Sequence, residues 1–437
     1  MSPVQRARYL DVLALPHVPL TFAISLVGRT GFALVFLPLL FAIFDATGSY
    51  AAAGVALGLY GAGAGFLGPL RAWCVDRAGA RPALTTFTVA FAAVTAGIAI
   101  LSFVGANVPV FTTLATLAGA VAPPLGPTMR VVWGELCPGE PELRTGLSLD
   151  AIVEDVLYLG GPAVAGFLLA GMPPGLALLV PAALIAVGGT VFASLPAVRA
   201  LRGTGGATPK TPAGSAARSA QATEPINDAS GVRTNARPRR PKWRSRREFR
   251  PGILLPVVAA GALSGGIGVA VPSLLADSGG PAAAGIALGA FACGSMVGGL
   301  LFGGLPLPLP TVRQLRILAL AFCVACAPIA IATGSIAVPL ALGGAGLFFA
   351  PILIAATFVA QTQAHPAFRN GATTWVTTAH NIGAAAGSAL AGAYTQTLGG
   401  GAAIGILTLG GLVLVSSSAL LGSGPDKSDD RRSEKTG

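Results

Sequence analysis

The chain has 437 residues, of which 53% are hydrophobic and only 10% charged, with a formal net charge of +11 and a mean hydropathy of +0.73. Soluble domains carry about 25% charged residues, so the composition excludes a soluble enzyme or soluble binding module and points to a polytopic membrane protein. The 60 Gly and 34 Pro would weaken helices in water. Both are common in membrane helices, where small residues let backbones approach and neighbours satisfy freed polar groups.

A bilayer core takes about 20 apolar residues per helix. In chain order the apolar runs predict helix 1 at 18–44, helix 2 at 51–71, helix 3 at 83–104, helix 4 at 108–133, helix 5 at 146–170 and helix 6 at 174–196. After a polar insert come helix 7 at 252–275, helix 8 at 283–304, helix 9 at 314–333, helix 10 at 336–360, helix 11 at 370–396 and helix 12 at 401–421. The N-terminus "MSPVQRARYLDVLALPH" leads into an apolar run too long for a cleaved signal peptide, and none is expected. The expected organisation is a six-helix bundle over 1–197, a disordered basic linker over 198–250, a second six-helix bundle over 251–422 and a tail over 423–437.

Lys and Arg fall in alternate loops. Arg6 and Arg8 precede helix 1, Arg71, Arg77 and Arg81 surround the 2–3 loop, and Arg130 and Arg144 flank the 4–5 loop. Arg313, Arg316 and Arg369 continue the pattern in the second half, and the opposite loops hold no Lys or Arg. The positive-inside rule then places both termini and the insert in the cytoplasm, with the protein in the cell membrane. The insert carries thirteen Lys and Arg against Glu224, Asp228 and Glu248, and ends in "RPRRPKWRSRREFR". A basic segment next to a membrane helix is expected to lean on anionic lipid headgroups rather than on nucleic acid. The five Cys are scattered, and the "CVAC" of Cys323 and Cys326 lies inside an apolar run. No disulfide framework, metal site or cofactor is expected.

The chain repeats itself. "AAAGVALGLY" at 51–60 and "AAAGIALGAF" at 282–291 agree at seven of ten positions, and Gly68 falls on Gly299 at the same offset of 231. "RTG" at 144–146 and "RNG" at 369–371 echo at offset 225. Both echoes pair helix n with helix n+6. Because six is even, the halves insert with the same orientation, as parallel repeats about an axis along the membrane normal. The fold class is therefore all-α, with twelve transmembrane helices as two six-helix repeats.

Helix 2 runs into "GPLRAWCVDRAGARP", 68–82, with Gly68, Asp76, Arg77, Gly79 and Arg81. With the six-plus-six architecture and long central insert, this stretch resembles the major facilitator superfamily, whose loop signature after helix 2 is Asp-Arg-x-Gly with basic residues. Ala72 and Ala80 depart from that signature. "YLGGPAVAGF" in helix 5 partly resembles the Gly-Pro motif of proton-antiporting drug exporters, with Leu157 where Gly would be expected. The resemblance implies a major facilitator fold, alternating access, and a cytoplasmic gate in which Asp76 faces the N-terminus of helix 11. A helix N-terminus favours an anion. Glu135, at the end of helix 4, is placed to accept a pair from Arg77 or Arg81. The plainer reading is that these charges only solvate the loop.

Helix 5 carries Asp150, Glu154 and Asp155, and helix 1 carries Arg29, the one basic residue deep inside a span. Counting about 1.5 Å per residue puts Arg29 and Glu154 near the midplane and Asp150 nearer the interface, where it could pair with Arg144. A lone guanidinium at mid-membrane costs at least ~2.5–3.5 kcal/mol, so Arg29 is expected to pair with Glu154 or Asp155. The pair could be a permanent structural clamp, or an acid could contact a cationic substrate directly. One Arg does not neutralise two or three acids, however, so one carboxylate is expected to take and release a proton. His380 and Asn381 in helix 11 are a second candidate pair for proton traffic or for hydrogen bonding between helices. Tyr60, Phe66, Tyr158, Phe291, Trp375 and Tyr394 are candidate cavity walls.

No HExxH, DDxxD, GxSxG or Walker loop names an enzyme reaction. The reading is a secondary transporter with alternating access, exporting a small amphipathic compound against protons. A proton-coupled importer and a non-transporting receptor or scaffold are the alternatives.

Overall fold

The computed structural model describes residues 9–201, 251–304, 309–363 and 369–422, and within its helices the side chains of 140, 144, 155, 251, 303–304, 361–363, 369–374 and 419–422 are outside the description. The expectations for most of the insert and for the tail fall on residues outside this set. Every regular element among the described residues is helical.

Helix 1 runs Val18–Thr47, helix 3 Ala80–Val104, helix 5 Glu140–Gly171 and helix 6 Pro174–Ser194. Helix 2 is Tyr50–Phe66 followed, after a 46° bend, by Gly68–Ala78. Helix 4 is likewise two segments, Val108–Ala120 and Leu125–Leu136, parted by a stretch that contains Pro123 and Pro124. In the second half helix 7 is Leu255–Leu274, helix 8 Gly280–Gly304 and helix 9 Thr311–Cys326 with a 3-10 turn after it. Helix 10 is Gly334–Gly346 plus Phe349–Gln363, helix 11 is Arg369–Leu398 and helix 12 is Gly400–Gly422. Among the described residues, ten spans are long and apolar enough to cross a membrane, or eleven with the bent helix 2. Helix 11 has 30 residues and is more polar, with Thr, His, Asn and Gln along its length.

The breaks in helices 2 and 4 share one cap. The last carbonyls of a helix have no partner within it. Arg71, which the sequence placed in the 2–3 loop, is instead buried at 8% exposure. Its Nη2 donates to the Ala64 carbonyl at 2.5 Å, and its Nη1 to those of Gly119 at 2.7 Å and Ala120 at 3.4 Å. A cation at two helix C-termini is also what the helix dipoles favour.

The loops without Lys or Arg lie at one end of the bundle, here the arginine-free end. Helices 1–6 pack mainly on one another, as do helices 7–12, and two helix pairs join the halves: 2 with 11 and 5 with 8. Exchanging n with n+6 turns one pair into the other, as a two-fold axis requires. Both joints are glycine on glycine. A Cβ on Gly54 would fall 2.9 Å from Gly392 Cα, and one on Gly166 would fall 3.0 Å from Gly285 Cα. Gly54 and Gly285 are equivalent positions of the repeated decapeptide, so the internal echo is the joint itself. The Tyr50 N–H donates to Gln396 Oε1 at 2.8 Å above one joint, and Phe36 packs on Gly268 between helices 1 and 7. Among the close contacts at described glycines, the one furthest toward the other end is Gly65 on Asn381. The second segment of helix 2 packs on helix 3 and on its own first segment, and that of helix 4 on helices 1 and 5. The halves are thus drawn together at the arginine-free end.

Because the obstacle at Gly54 is backbone, a side chain there forces the halves apart. With spin labels at Asp45 and Thr397, Gly54→Val is expected to lengthen the distance between them. Gly61→Val is expected to leave it unchanged, since a Cβ at Gly61 meets nothing within 4 Å.

Candidate functional site

Three helices of the first half converge on one charge cluster. Arg29 Nη1 donates to Asp150 Oδ1 at 2.6 Å, and its Nη2 reaches Asp150 Oδ2 at 3.5 Å and Glu154 Oε2 at 2.8 Å. Arg130, from the second segment of helix 4, donates through Nη2 to Glu154 Oε2 at 2.5 Å, and its Nε lies 3.6 Å from Asp150 Oδ2. Asp150 and Glu154 are one turn apart on helix 5 and so share a face. Arg29 lies between them.

Small residues make this convergence possible. The missing side chain of Gly161 leaves room for the Ala33 carbonyl, setting helix 5 against helix 1 one turn beyond Arg29. Gly28 and Gly31 bring helix 1 against Gly188, Gly189 and Ile185 of helix 6. A Cβ on Gly126 would stand 3.6 Å from Glu154 Oε1 and 3.8 Å from Arg29 Nε, so helix 4 faces the cluster with bare backbone there.

Burial divides the cluster in two. Asp150 is 0% and Arg29 6% exposed, whereas Glu154 is 23% and Arg130 50% exposed. The first pair is sealed inside the half, and the second opens outward. The expected pairing of Arg29 with Glu154 is present, and Asp150 is a second, closer partner and the more buried of the two acids. Arg130, expected beside the 4–5 loop, also joins the cluster, so among the described side chains two cations meet two anions. Helix 4 continues to Leu136, which carries Arg130 about 9 Å back from its end. The clue in the sequence was the unbalanced count itself: two acids facing one Arg call for a second cation from a neighbouring helix. The side chains of Asp155 and Arg144 lie outside the described residues.

The gate residues lie around the turn between helices 2 and 3 and at the end of helix 4. Gly68 opens the second segment of helix 2, and Gly79, at φ +91°, makes the turn into helix 3. Asp76 is exposed and lines a cavity of about 310 Å³ with Val75, Pro124, Pro127 and Leu201. Arg77 lies over the Trp73 ring at 5.5 Å. Arg81 and Glu135 are exposed, and among the described residues no ion pair joins Glu135 to Arg77 or Arg81.

Of the cavity candidates, Tyr158 is 55% and Trp375 59% exposed, and Phe66 is exposed as well. Tyr158 is one turn beyond Glu154 and close enough to Tyr60 to interact with it electrostatically. Tyr394 is half-buried. Asn381 fills the space left by Gly65 of helix 2. His380 meets Phe349 edge-on at 5.7 Å, and Phe291, Phe322 and Phe349 pack together at centroid distances of 5.3–6.2 Å. His380 Nδ1 is buried with no hydrogen-bond partner. Cys323 and Cys326 are buried and free.

The family model described as Major Facilitator Superfamily matches residues 20–388. No curated protein matches the chain. Solved structures do. The nucleoside transporter NupG is 15% identical with a TM-score of 0.65, over 93% of this chain and 100% of that one. A POT family transporter in complex with 5-aminolevulinic acid is 13% identical with a TM-score of 0.65, over 93% and 96%. A bacterial homologue of the human lysosomal transporter Spinster, in an inward-facing and unoccupied conformation, is 14% identical with a TM-score of 0.60, over 92% and 95%. At these identities the likeness establishes the fold.

Removing one partner of a buried ion pair typically costs 3–5 kcal/mol, because the other charge is stranded. Arg29→Met is therefore expected to destabilise the protein by about 3–5 kcal/mol in detergent melts. The double variant Arg29→Met/Asp150→Leu is expected to recover most of that loss. A double variant no more stable than the single one would show that the clamp is not electrostatic.

Proposed function

We propose that this chain, which belongs to the major facilitator superfamily and is a multi-pass membrane transporter rather than an enzyme, works by proton-coupled alternating access, with Glu154 as the group that takes and releases the proton. The observation that carries this reading is the division of the cluster by exposure. Arg29 and Asp150 are sealed and form a fixed clamp between helices 1 and 5. Glu154 shares their charge field yet is partly exposed, at 23%, so a proton can reach it. An ionisable group at this depth is expensive to keep, and such groups mark ion and substrate paths.

The arginine-rich end is cytoplasmic by the charge bias. The close contacts at the opposite end then make this an inward-facing conformation. The membrane is the cell membrane, and the basic insert lies along its anionic headgroups. The cargo is a small amphipathic compound, since the spans offer aromatic and apolar walls and few hydrogen-bonding groups. The partial Gly-Pro pattern of helix 5, with Leu157 in place of Gly, favours export, whereas the charge pairing of Glu154 with Arg130 favours uptake.

In liposomes with an internal pH dye, amphipathic compounds are expected to drive proton flux through the wild type. Glu154→Gln is expected to abolish that flux while exchange of labelled compound across the membrane continues. Flux that survives in Glu154→Gln would reduce the whole cluster to a structural clamp.

A further inference from the structure

The sign of the cargo's charge can be read from which member of the cluster is within a ligand's reach. Among the described side chains the cluster is balanced, two guanidiniums against two carboxylates, so it does not call for a counter-ion at rest. Asp150 and Arg29 are too buried to touch a ligand. Of the two open groups, Arg130 is the more exposed, at 50% against 23%. Its Nη2 and Nε are engaged by Glu154 and Asp150, and its Nη1 has no partner among the described residues. A cationic headgroup would have to approach Glu154 against two guanidiniums, each within 3 Å of Oε2. An anion meets the free edge of Arg130 directly.

We propose that Arg130 is the headgroup site for an anionic substrate, a small carboxylate with an aromatic or apolar body, which replaces Glu154 on Arg130 when Glu154 is protonated. This rests on the reading of Glu154 as the proton carrier and adds the class of cargo and the sense of coupling. Protonation of Glu154 leaves two guanidiniums facing Asp150 alone, an excess of one positive charge beside the sealed Arg29–Asp150 pair. An anion at the half-exposed Arg130 is then favoured. A carboxylate restores the balance, so proton and anion bind together or not at all. One proton moving with one monoanion is electroneutral, and both travel the same way. An inward proton gradient then drives uptake rather than export.

The groups that face Glu154 are Arg29 from helix 1, Arg130 from helix 4, and Asp150 and Tyr158 from its own helix, and the short helix Tyr9–Leu13, which also packs on helix 5, carries Tyr9 and Asp11. Helix 6 has no titratable side chain, helix 8 has only Cys293, and the Asp155 side chain lies outside the described residues. No group that changes charge near neutral pH competes with Glu154 on the described surface around it. For the body of the cargo, Tyr158 and Tyr60 stand next to the headgroup site. The second half contributes partly buried Phe291, Phe349 and His380 at a matching level. That level is set by Gly289 against Leu159 and by Asn381 against Gly65.

Calorimetric titration of the purified full chain with phenylacetate, phenethylamine and phenylacetamide, at acidic and neutral pH, tests this. Phenylacetate is expected to bind, with affinity rising by up to about tenfold per unit fall in pH. The amine and the amide are expected not to bind. Glu154→Gln should hold phenylacetate at neutral pH as tightly as the wild type does in acid. Arg130→Gln should lose binding, and Arg130→Lys should keep part of it. Binding of the amine in place of the acid, no binding of the acid, or full binding of the acid by Arg130→Gln would each overturn the assignment. Acid binding that depends on Arg130 but not on pH or on Glu154→Gln would instead sink the proton reading and leave the anion site standing.

Discussion

A guanidinium inside a bilayer must bring its counter-charge with it, and Arg29 sets that condition for the whole first half. Helix 1 can cross the membrane with an arginine in its middle only if helix 5 delivers a carboxylate to it. Asp150 does so at 2.6 Å with no exposure to solvent. Once helix 5 is fixed there, its next turn carries Glu154 into the same field. Helix 4 must then bring Arg130, or the site holds an excess of negative charge. The break at Pro123 and Pro124 lets the second segment of helix 4 turn toward the cluster, and Arg71 satisfies the carbonyls that the break exposes. A buried ion pair of this kind adds little net stability against an apolar alternative. Its retention here argues for what the outer pair can do rather than for what the inner pair holds.

Small residues supply the other half of the construction. In lipid the apolar effect does not drive helices together, and contact depends on close packing. Gly54 on Gly392 and Gly166 on Gly285 place backbones in direct contact at both joints between the halves. Such joints are flat and lack interlocking side chains, which suits surfaces that must part and meet again as access alternates. Charge is confined to one half at this level. The described spans of the other half offer aromatic rings, His380 and Asn381. A cargo with a charged head and an apolar body matches that asymmetry.

Much of this was legible in the sequence. The apolar runs and the arginine pattern gave most helix ends to within three residues; helix 2 runs seven residues further, helix 5 starts six earlier and helix 9 gives way to a 3-10 turn at Ala327. The decapeptide repeat marked equivalent helices, although its role as the joint emerged only when Gly54 and Gly285 were seen against helices 11 and 5. The need of Arg29 for helix 5 followed from desolvation alone. Depth did not. Counting residues from a helix start assumes that every helix enters the membrane at its first residue. Helix 5 begins at Glu140, six residues before its apolar run, and Asp150 is sealed by packing against Arg29 of helix 1, which no count along one helix reveals. Arg71 and Arg130 were hidden for a related reason. Near a predicted helix end a basic residue reads as a loop charge, and only three-dimensional packing shows that the helix continues or breaks around it.

The central claim is that the proton on Glu154 and the partner of Arg130 are one equilibrium. Infrared difference spectroscopy reads it directly, through the carbonyl stretch of a protonated carboxyl, assigned to Glu154 by its loss in Glu154→Gln. At neutral pH, adding phenylacetate to the wild type should increase that band, because the anion frees Glu154 from Arg130 and leaves it to bind a proton. A band that stays constant, or that is absent at every pH, would mean that Glu154 keeps its charge and its arginine throughout, and the account would fail at its centre.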